Sequence, residues 1–353
     1  MTCHNGCVVR GPHLEIVGVR TIVLLQALHL GDFLCSVPAL RALKNRFPTA
    51  EVTLVGLPWV RSILDRYRYV DRFVEFPGYW GLEGVPWEPD RTERFIREAR
   101  AYGYDLAIQM HGDGRLSNGF VAKLGARATL GYGPLGVERR RQLDVELDMV
   151  ERDHETVRWL RLVGILGATG SPDLEFPILP VDRLEADRVV AESGIDSRKP
   201  MVAIHPGARD PAKRWPAERF SRAADWLAWE LGAEVVITGS RHELELANQV
   251  ARGMSRQAHV VAGQTSIGGL AALLSRIQLL VTNDTGPSHL AAALAVPSVV
   301  LFGPTDPARW APLDGELHSA LWAGPGNPVS SISVDQVVEG ALTVVKQCAS
   351  LTF

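Results

Sequence analysis

The sequence predicts an α/β protein built from two doubly wound parallel sheets that face a central cleft. Three observations predict it. Short apolar, β-branched runs alternate with segments of helical spacing twice over along the chain. A stretch at 168–200, with Pro172, Pro177, Pro180 and Pro200, separates the two runs. The length, 353 residues, favours two domains at roughly 100–200 residues each. The expected division is a mobile leader over 1–20, a first Rossmann-like domain over 21–180 and a second over 181–353. The terminal helix is a candidate to pack back on the first domain.

The first run opens with Thr21-Ile22-Val23-Leu24-Leu25, a short apolar run suited to a buried parallel strand. Leu34, Val37, Leu40 and Leu43 then recur at helical spacing and predict a helix over 32–47, stopped by Pro48. Further strands are predicted at 52–56, 73–76, 106–110 and 128–132, and helices at 91–101 and 154–166. The connection carries one short helical segment at 184–193. The second run starts with the strand 201–205. A helix over 216–231 follows, with Pro216 tolerable in its first turn. Strands at 234–238, 259–261, 279–282 and 298–302 alternate with helices at 243–253, 266–275 and 287–295. The last helix is expected over 334–348.

Composition excludes several classes. Hydrophobic residues make up 46% and charged residues 22%, too apolar for a disordered chain. A net charge of -3 argues against a dedicated nucleic-acid-binding domain, which is usually clearly basic. No window approaches about 18 uninterrupted apolar residues, the length needed to span a bilayer. The polar N-terminus has no signal core, which predicts a cytoplasmic protein. Four cysteines do not make a disulfide framework. Cys3 and Cys7 bracket His4, but only the distant Cys35 offers a further thiolate, so no metal site is expected there.

In doubly wound sheets ligands bind beyond the carboxyl ends of strands. The loop after the first strand, Gln26 to Asp32, holds Gly31, which permits φ > 0 or close approach of a ligand. Two readings of Asp32 stay open: the N-cap of the following helix, or a general base aimed into a cleft. A helix N-terminus lowers a carboxylate pKa, so Asp32 is expected to be ionised at neutral pH. The loop 205–216 carries Gly207, whose backbone suits an anion, and the cations Arg209, Lys213 and Arg214. It reads as a diphosphate cradle or as a solvated surface loop, and it is not a GxxxxGK[ST] loop. The third loop, Thr282 to His289, offers the Thr285 and Gly286 N–H groups at a helix N-terminus, with Asp284 before them and His289 one turn later. Glu243 is placed either to accept from ribose hydroxyls or to complement its helix dipole.

At these loops the chain resembles glycosyltransferase family 9, the ADP-heptose:lipopolysaccharide heptosyltransferases. The resemblance rests on Leu30-Gly31-Asp32 with Pro38 to Leu43, on Pro206-Gly207-Ala208 with Lys213 to Pro216, on Thr282 to His289, and on Leu301 to Pro307. These pieces run in family order over roughly 20–345. The resemblance implies a GT-B fold, with acceptor bound in the first half and nucleotide-sugar in the second. It implies inverting transfer without a metal ion or other cofactor, with ADP-heptose or another nucleotide-sugar as donor substrate. Asp32 matches the family's catalytic base and Lys213 the residue that steadies the donor diphosphate. Asp284, Thr285, Gly286 and His289 match the donor-binding turn, and Glu243 falls near a residue that contacts the nucleoside.

The family often has Arg where this chain has Gln26. Residues 1–185 hold 23 basic and 24 acidic residues, so the acceptor half is not basic. Arg139 to Arg141 and Arg61 to Arg72 are its local basic stretches. Besides Gly31, two loops are candidates to hold the acceptor. The aromatic loop Phe76 to Leu82, with Tyr79 and Trp80, reads as a lid over a sugar face or as a packed surface loop. The other is His111 to Arg115, with His111 and Asp113. The expected function is heptose transfer to a lipopolysaccharide core or related glycan, with peripheral contact at the inner face of the membrane left open. Transfer to a small-molecule metabolite and sugar-nucleotide binding without turnover are the alternatives.

Overall fold

A computed structural model of the chain describes residues 2–3, 7–10, 13–133, 142–150 and 152–351. The Arg139–Arg141 stretch and His4 lie outside the described residues. In the expected leader, β1 (Thr2–Cys3), β2 (Cys7–Arg10) and β3 (His13–Ile16) pair as a small antiparallel sheet.

The chain divides into two compact units at 173/174, against 180/181 in the sequence reading. In the first unit β4 (Thr21–Leu25), α1 (Leu30–Arg46), β5 (Glu51–Gly56), β6 (Arg72–Glu75), α2 (Pro89–Tyr102), β7 (Leu106–Gln109), α3 (Ser117–Lys123), β8 (Ala128–Gly133), β9 (Val145–Asp148) and α4 (Glu155–Gly164) follow in order. The six larger strands are all parallel, in the order β6-β5-β4-β7-β8-β9. Counted within the unit this is 3-2-1-4-5-6, so the topological switch point lies between β4 and β7. β4 is apolar because helices cover both of its faces, and Ile22 to Leu25 are essentially inaccessible. Pro89 starts α2, and Gly103, left-handed at φ 77°, ends it.

The second unit repeats the plan. After α5 (Pro180–Glu192) come β10 (Met201–His205), α6 (Ala217–Glu230), β11 (Glu234–Ile237), α7 (Leu244–Gly253), β12 (Ala258–Val260), α8 (Ile267–Leu274), β13 (Leu279–Asn283), α9 (Gly286–Ala293), β14 (Ser298–Phe302), α10 (Pro307–Trp310), β15 (His318–Trp322) and α11 (Val334–Leu351). The sheet order is β12-β11-β10-β13-β14-β15, again 3-2-1-4-5-6 and parallel throughout. Val337, Ala341 and Val344 of α11 join a core with Val202, Phe220 and Val299. The apolar face of the terminal helix is therefore buried within its own unit.

Two of the four edge strands of the larger sheets, β9 and β15, escape the sequence reading, as do α3 and α10. β9 is half exposed along most of its length and β15 alternates, so neither shows the continuous apolar signal of the central strands.

Candidate active site

At the switch point of the first unit, the loops after β4 and β7 meet. The backbone N–H of Ala27 donates to His111 Nδ1 at 3.3 Å. That bond fixes an acceptor at Nδ1 and leaves the ring proton on Nε2. Burial, reinforced by the nearby His29, pushes the His111 pKa down to about 4, so the imidazole is neutral at pH 7. Gln109 and Ser117 both donate to the His111 carbonyl, which fixes the backbone at that point. The following Gly112 carbonyl accepts from Arg158, whose guanidinium is buried with Glu155 and lies 4.2 Å from the Trp159 ring centroid. Asp113 turns into its own loop, accepting from the Arg115 N–H at 2.9 Å.

Asp32 is not an N-cap. α1 begins at Leu30 with His29 as the capping position, so Asp32 is the third helical residue. Its Oδ2 accepts from the His29 N–H at 3.2 Å, satisfying one of the donors that a helix start leaves open. The side chain is half-buried. Gly31 is buried inside the first turn, without the positive φ that the sequence reading allowed it.

The aromatic loop is strapped down. Arg91 donates from Nε to the Pro77 carbonyl at 2.6 Å and from Nη2 to the Pro86 carbonyl at 2.5 Å. Thr92 Oγ1 donates to the Gly78 carbonyl at 2.8 Å. Gly78 has φ 83°, and a Cβ there would lie 2.5 Å from the Pro86 oxygen, so only glycine fits. Tyr79 packs edge-on against Phe120 with centroids 5.4 Å apart, and Lys123 Nζ stands 5.2 Å from its ring centroid. Trp80 is 63% exposed. The loop is thus tied to the start of α2 through Arg91 and Thr92, with Tyr79 packed and Trp80 outward.

In the second unit three loops converge beyond β10, β13 and β14. Lys213 Nζ pairs with Asp284 Oδ2 at 2.7 Å, and Thr305 Oγ1 donates to the same oxygen at 2.6 Å. Asn283 ties the loops together. Its Nδ2 donates to the carbonyls of Pro206 at 2.9 Å and Gly207 at 3.3 Å, and its Oδ1 accepts from the Trp215 N–H at 3.0 Å. Gly207 and Glu243 are also brought together: a Cβ on Gly207 would lie 2.0 Å from Glu243 Oε1. Glycine is needed here to admit that carboxylate. Its other oxygen accepts from the Ser240 N–H at 2.7 Å. Burial works to raise the Glu243 pKa, but His205, the Ser240 donors and Arg214 outweigh it and hold the group below its ordinary range. His205, buried at the end of β10 and bonded to Thr238 Oγ1 at 3.0 Å, is shifted down by burial.

Thr285 caps α9 in an extended conformation, and Gly286 opens the helix. His289 is buried one turn further on, edge-on to Trp310 with centroids 6.1 Å apart. Arg209 is exposed, and Arg214 turns back to its own loop, donating to the Ala208 carbonyl at 2.7 Å. Lys213, Asp284, Glu243 and Gly207 are thus linked at the end of the sheet. His205, Asn283 and Thr305 belong to the same network and were not singled out as site residues. The sequence signal that pointed to them is their place in the stretches 205–216, 282–289 and 301–307. Among the described residues, no three His, Cys, Asp or Glu side chains cluster as a metal site. No helix among them is long and apolar enough to cross a membrane.

The arrangement invites comparison with known proteins. The profile of glycosyltransferase family 9 (heptosyltransferase) matches residues 92–325. Lipopolysaccharide heptosyltransferase 2 of Salmonella typhimurium is 30% identical over 83% of this chain and 85% of its own. The Escherichia coli protein of the same name is 28% identical over the same shares. The crystal structure of a family 9 glycosyltransferase from Veillonella parvula superposes with a TM-score of 0.79 at 25% identity, covering 93% of this chain and 98% of that one. E. coli ADP-heptose lps heptosyltransferase II shares the fold, with a TM-score of 0.73 at 24% identity over 94% and 99% of the two chains. With the GT-B architecture of two Rossmann-like units, these matches show that the chain is a glycosyltransferase belonging to family 9, the heptosyltransferase family.

Proposed function

We propose that the protein transfers a heptose from ADP-heptose to a hydroxyl of a lipopolysaccharide core acceptor, with inversion and without a metal ion. The observation that carries the reading is the junction of Lys213 and Asp284 beside the α9 N-terminus, in a chain 30% identical to a lipopolysaccharide heptosyltransferase. A leaving nucleoside diphosphate develops negative charge as the glycosidic bond breaks. An ammonium group and a helix N-terminus are suited to stabilise it. Glu243, held ionised beside Gly207, is suited to accept from ribose hydroxyls.

On the acceptor side Asp32 takes the proton from the attacking hydroxyl. Its bond to the His29 N–H holds one oxygen and orients the other. Attack from the face opposite the departing diphosphate inverts the anomeric carbon. A neutral His111 is suited to donate from Nε2 to an acceptor hydroxyl without adding charge.

The test is transfer from ADP-heptose to a heptose-deficient lipopolysaccharide core, run beside a water-soluble, lipid-free acceptor. Release of ADP with the core acceptor and formation of one anomer are expected. Release only with the lipid-free acceptor would favour a small-molecule substrate, a reading to which the near-balance of charge over 1–185 lends support. Donor binding without ADP release under any acceptor would contradict both.

A further inference from the structure

We propose that Thr305 is a positioning residue for Lys213, acting through Asp284, and that it sets the affinity of the second unit for the diphosphate of its nucleotide-sugar. The proposal rests on the donor reading given above. The loops after β10 and β14 each bring one donor to a single carboxylate oxygen carried by the loop after the strand between them, β13. Lys213 Nζ and Thr305 Oγ1 both donate to Asp284 Oδ2, at 2.7 and 2.6 Å. Asp284 is buried at 4% exposure, whereas the Lys213 side chain retains 25%. The pair is therefore buried at the carboxylate and partly exposed along the lysine side chain.

An ammonium has three protons, and the Asp284 bond uses one. A lysine reaches its target through a flexible four-carbon stem, so the direction of the remaining protons is set by what holds the head group. Here that holder is Oδ2, and Oδ2 is itself fixed by Thr305. Without the Thr305 hydroxyl the carboxylate is free to turn and follow the ammonium, which draws Lys213 away from a ligand and neutralises its charge more fully.

Thr305 is well placed to act as the fixed point. On one side of it the Gly303 carbonyl accepts from Trp322 Nε1 at 3.2 Å. A Cβ at Gly303 would lie 2.9 Å from Val329 Cβ and 3.4 Å from the Ala212 oxygen, so this loop lies directly against the loop that carries Lys213. On the other side Asp306 caps α10, accepting from the Ala308 N–H at 2.9 Å. The hydroxyl is thus held between two anchored backbone positions.

The test is calorimetric titration of ADP into the full chain and into T305V, T305S, K213M and the T305V/K213M double variant. Valine keeps the shape and removes the hydroxyl; serine keeps the hydroxyl. T305V is expected to bind ADP about five- to twentyfold more weakly, less than the roughly 10–150-fold worth of a direct hydrogen bond to a charged group because it acts through Asp284, and T305S within about twofold of the parent. In the K213M background T305V is expected to cost less than about twofold, because residues acting as one unit are not additive. Unchanged ADP affinity in T305V overturns the proposal. So does an equal loss in the presence and absence of Lys213, or a loss in T305S as large as in T305V. If the parent chain takes up no ADP, the donor reading fails first and this role fails with it.

Discussion

The two sheets share one strand order, yet their switch points are built from different chemistry. Beyond β4 and β7 the prominent side chain is the neutral His111, with Asp32 secured to the backbone of its own helix. Beyond β10, β13 and β14 the contacts are charged and run between loops: Lys213 with Asp284, and Glu243 against Gly207. One backbone plan thus carries a neutral histidine and a helix-start carboxylate in the first unit and a linked set of charged side chains in the second. Topology says where each site lies; the loop residues say what it does.

The comparison breaks most sharply at Asp32. D32N is expected to lower kcat by about 10²–10⁴, the usual scale for removing a general base, with donor KM within a few-fold of the parent. Steady-state kinetics of the folded variant check this, and near-normal turnover would remove Asp32 from the chemistry. On the other side, K213A is expected to weaken ADP binding by roughly 10–100-fold while leaving the acceptor KM nearly unchanged. Competition of ADP against donor measures it.

A smaller effect sharpens the neutral side. His111 binds its proton near the ordinary histidine value of 6.5 when unfolded and only at about 4 when folded. Its contribution to stability is complete above pH 6.5 and is lost as pH falls toward 4, on the order of 3 kcal/mol at most. His318, buried near Ser298 and also lowered to about 4, adds to the same window. H111Q is therefore expected to melt with a shallower dependence on pH between 6.5 and 4. Parallel melting curves for H111Q and the parent would contradict a neutral, buried His111.

Much of the fold is legible in the sequence because parallel strands covered on both faces read as continuous apolar runs. Thr21 to Leu25 and Met201 to His205 are such runs, and the structure gives them the predicted bounds. β9 and β15 are less legible because β9 is only partly buried along its length and β15 alternates, so neither carries a continuous apolar run. Asp32 misleads because His29, a poor capping residue by type, holds the N-cap position, while Asp32 supplies the capping bond from inside the helix. The contacts that tie the Tyr79–Trp80 loop to Arg91 are not legible either, because Arg91 lies beyond the loop in the next helix. The donor loops are recognisable one at a time, but their joining is not. Lys213, Asp284 and Thr305 are far apart in the chain, and nothing local in the sequence shows that one oxygen holds two of them together.

The division of labour between the units is open to direct measurement by hydrogen–deuterium exchange of the full chain with and without saturating ADP. Slowed exchange is expected at 206–214, 239–243, 283–289 and 302–306, with 26–32 and 111–113 unchanged. Protection at 26–32 and 111–113, with none at the second-unit loops, would contradict the assignment of donor and acceptor to their respective units.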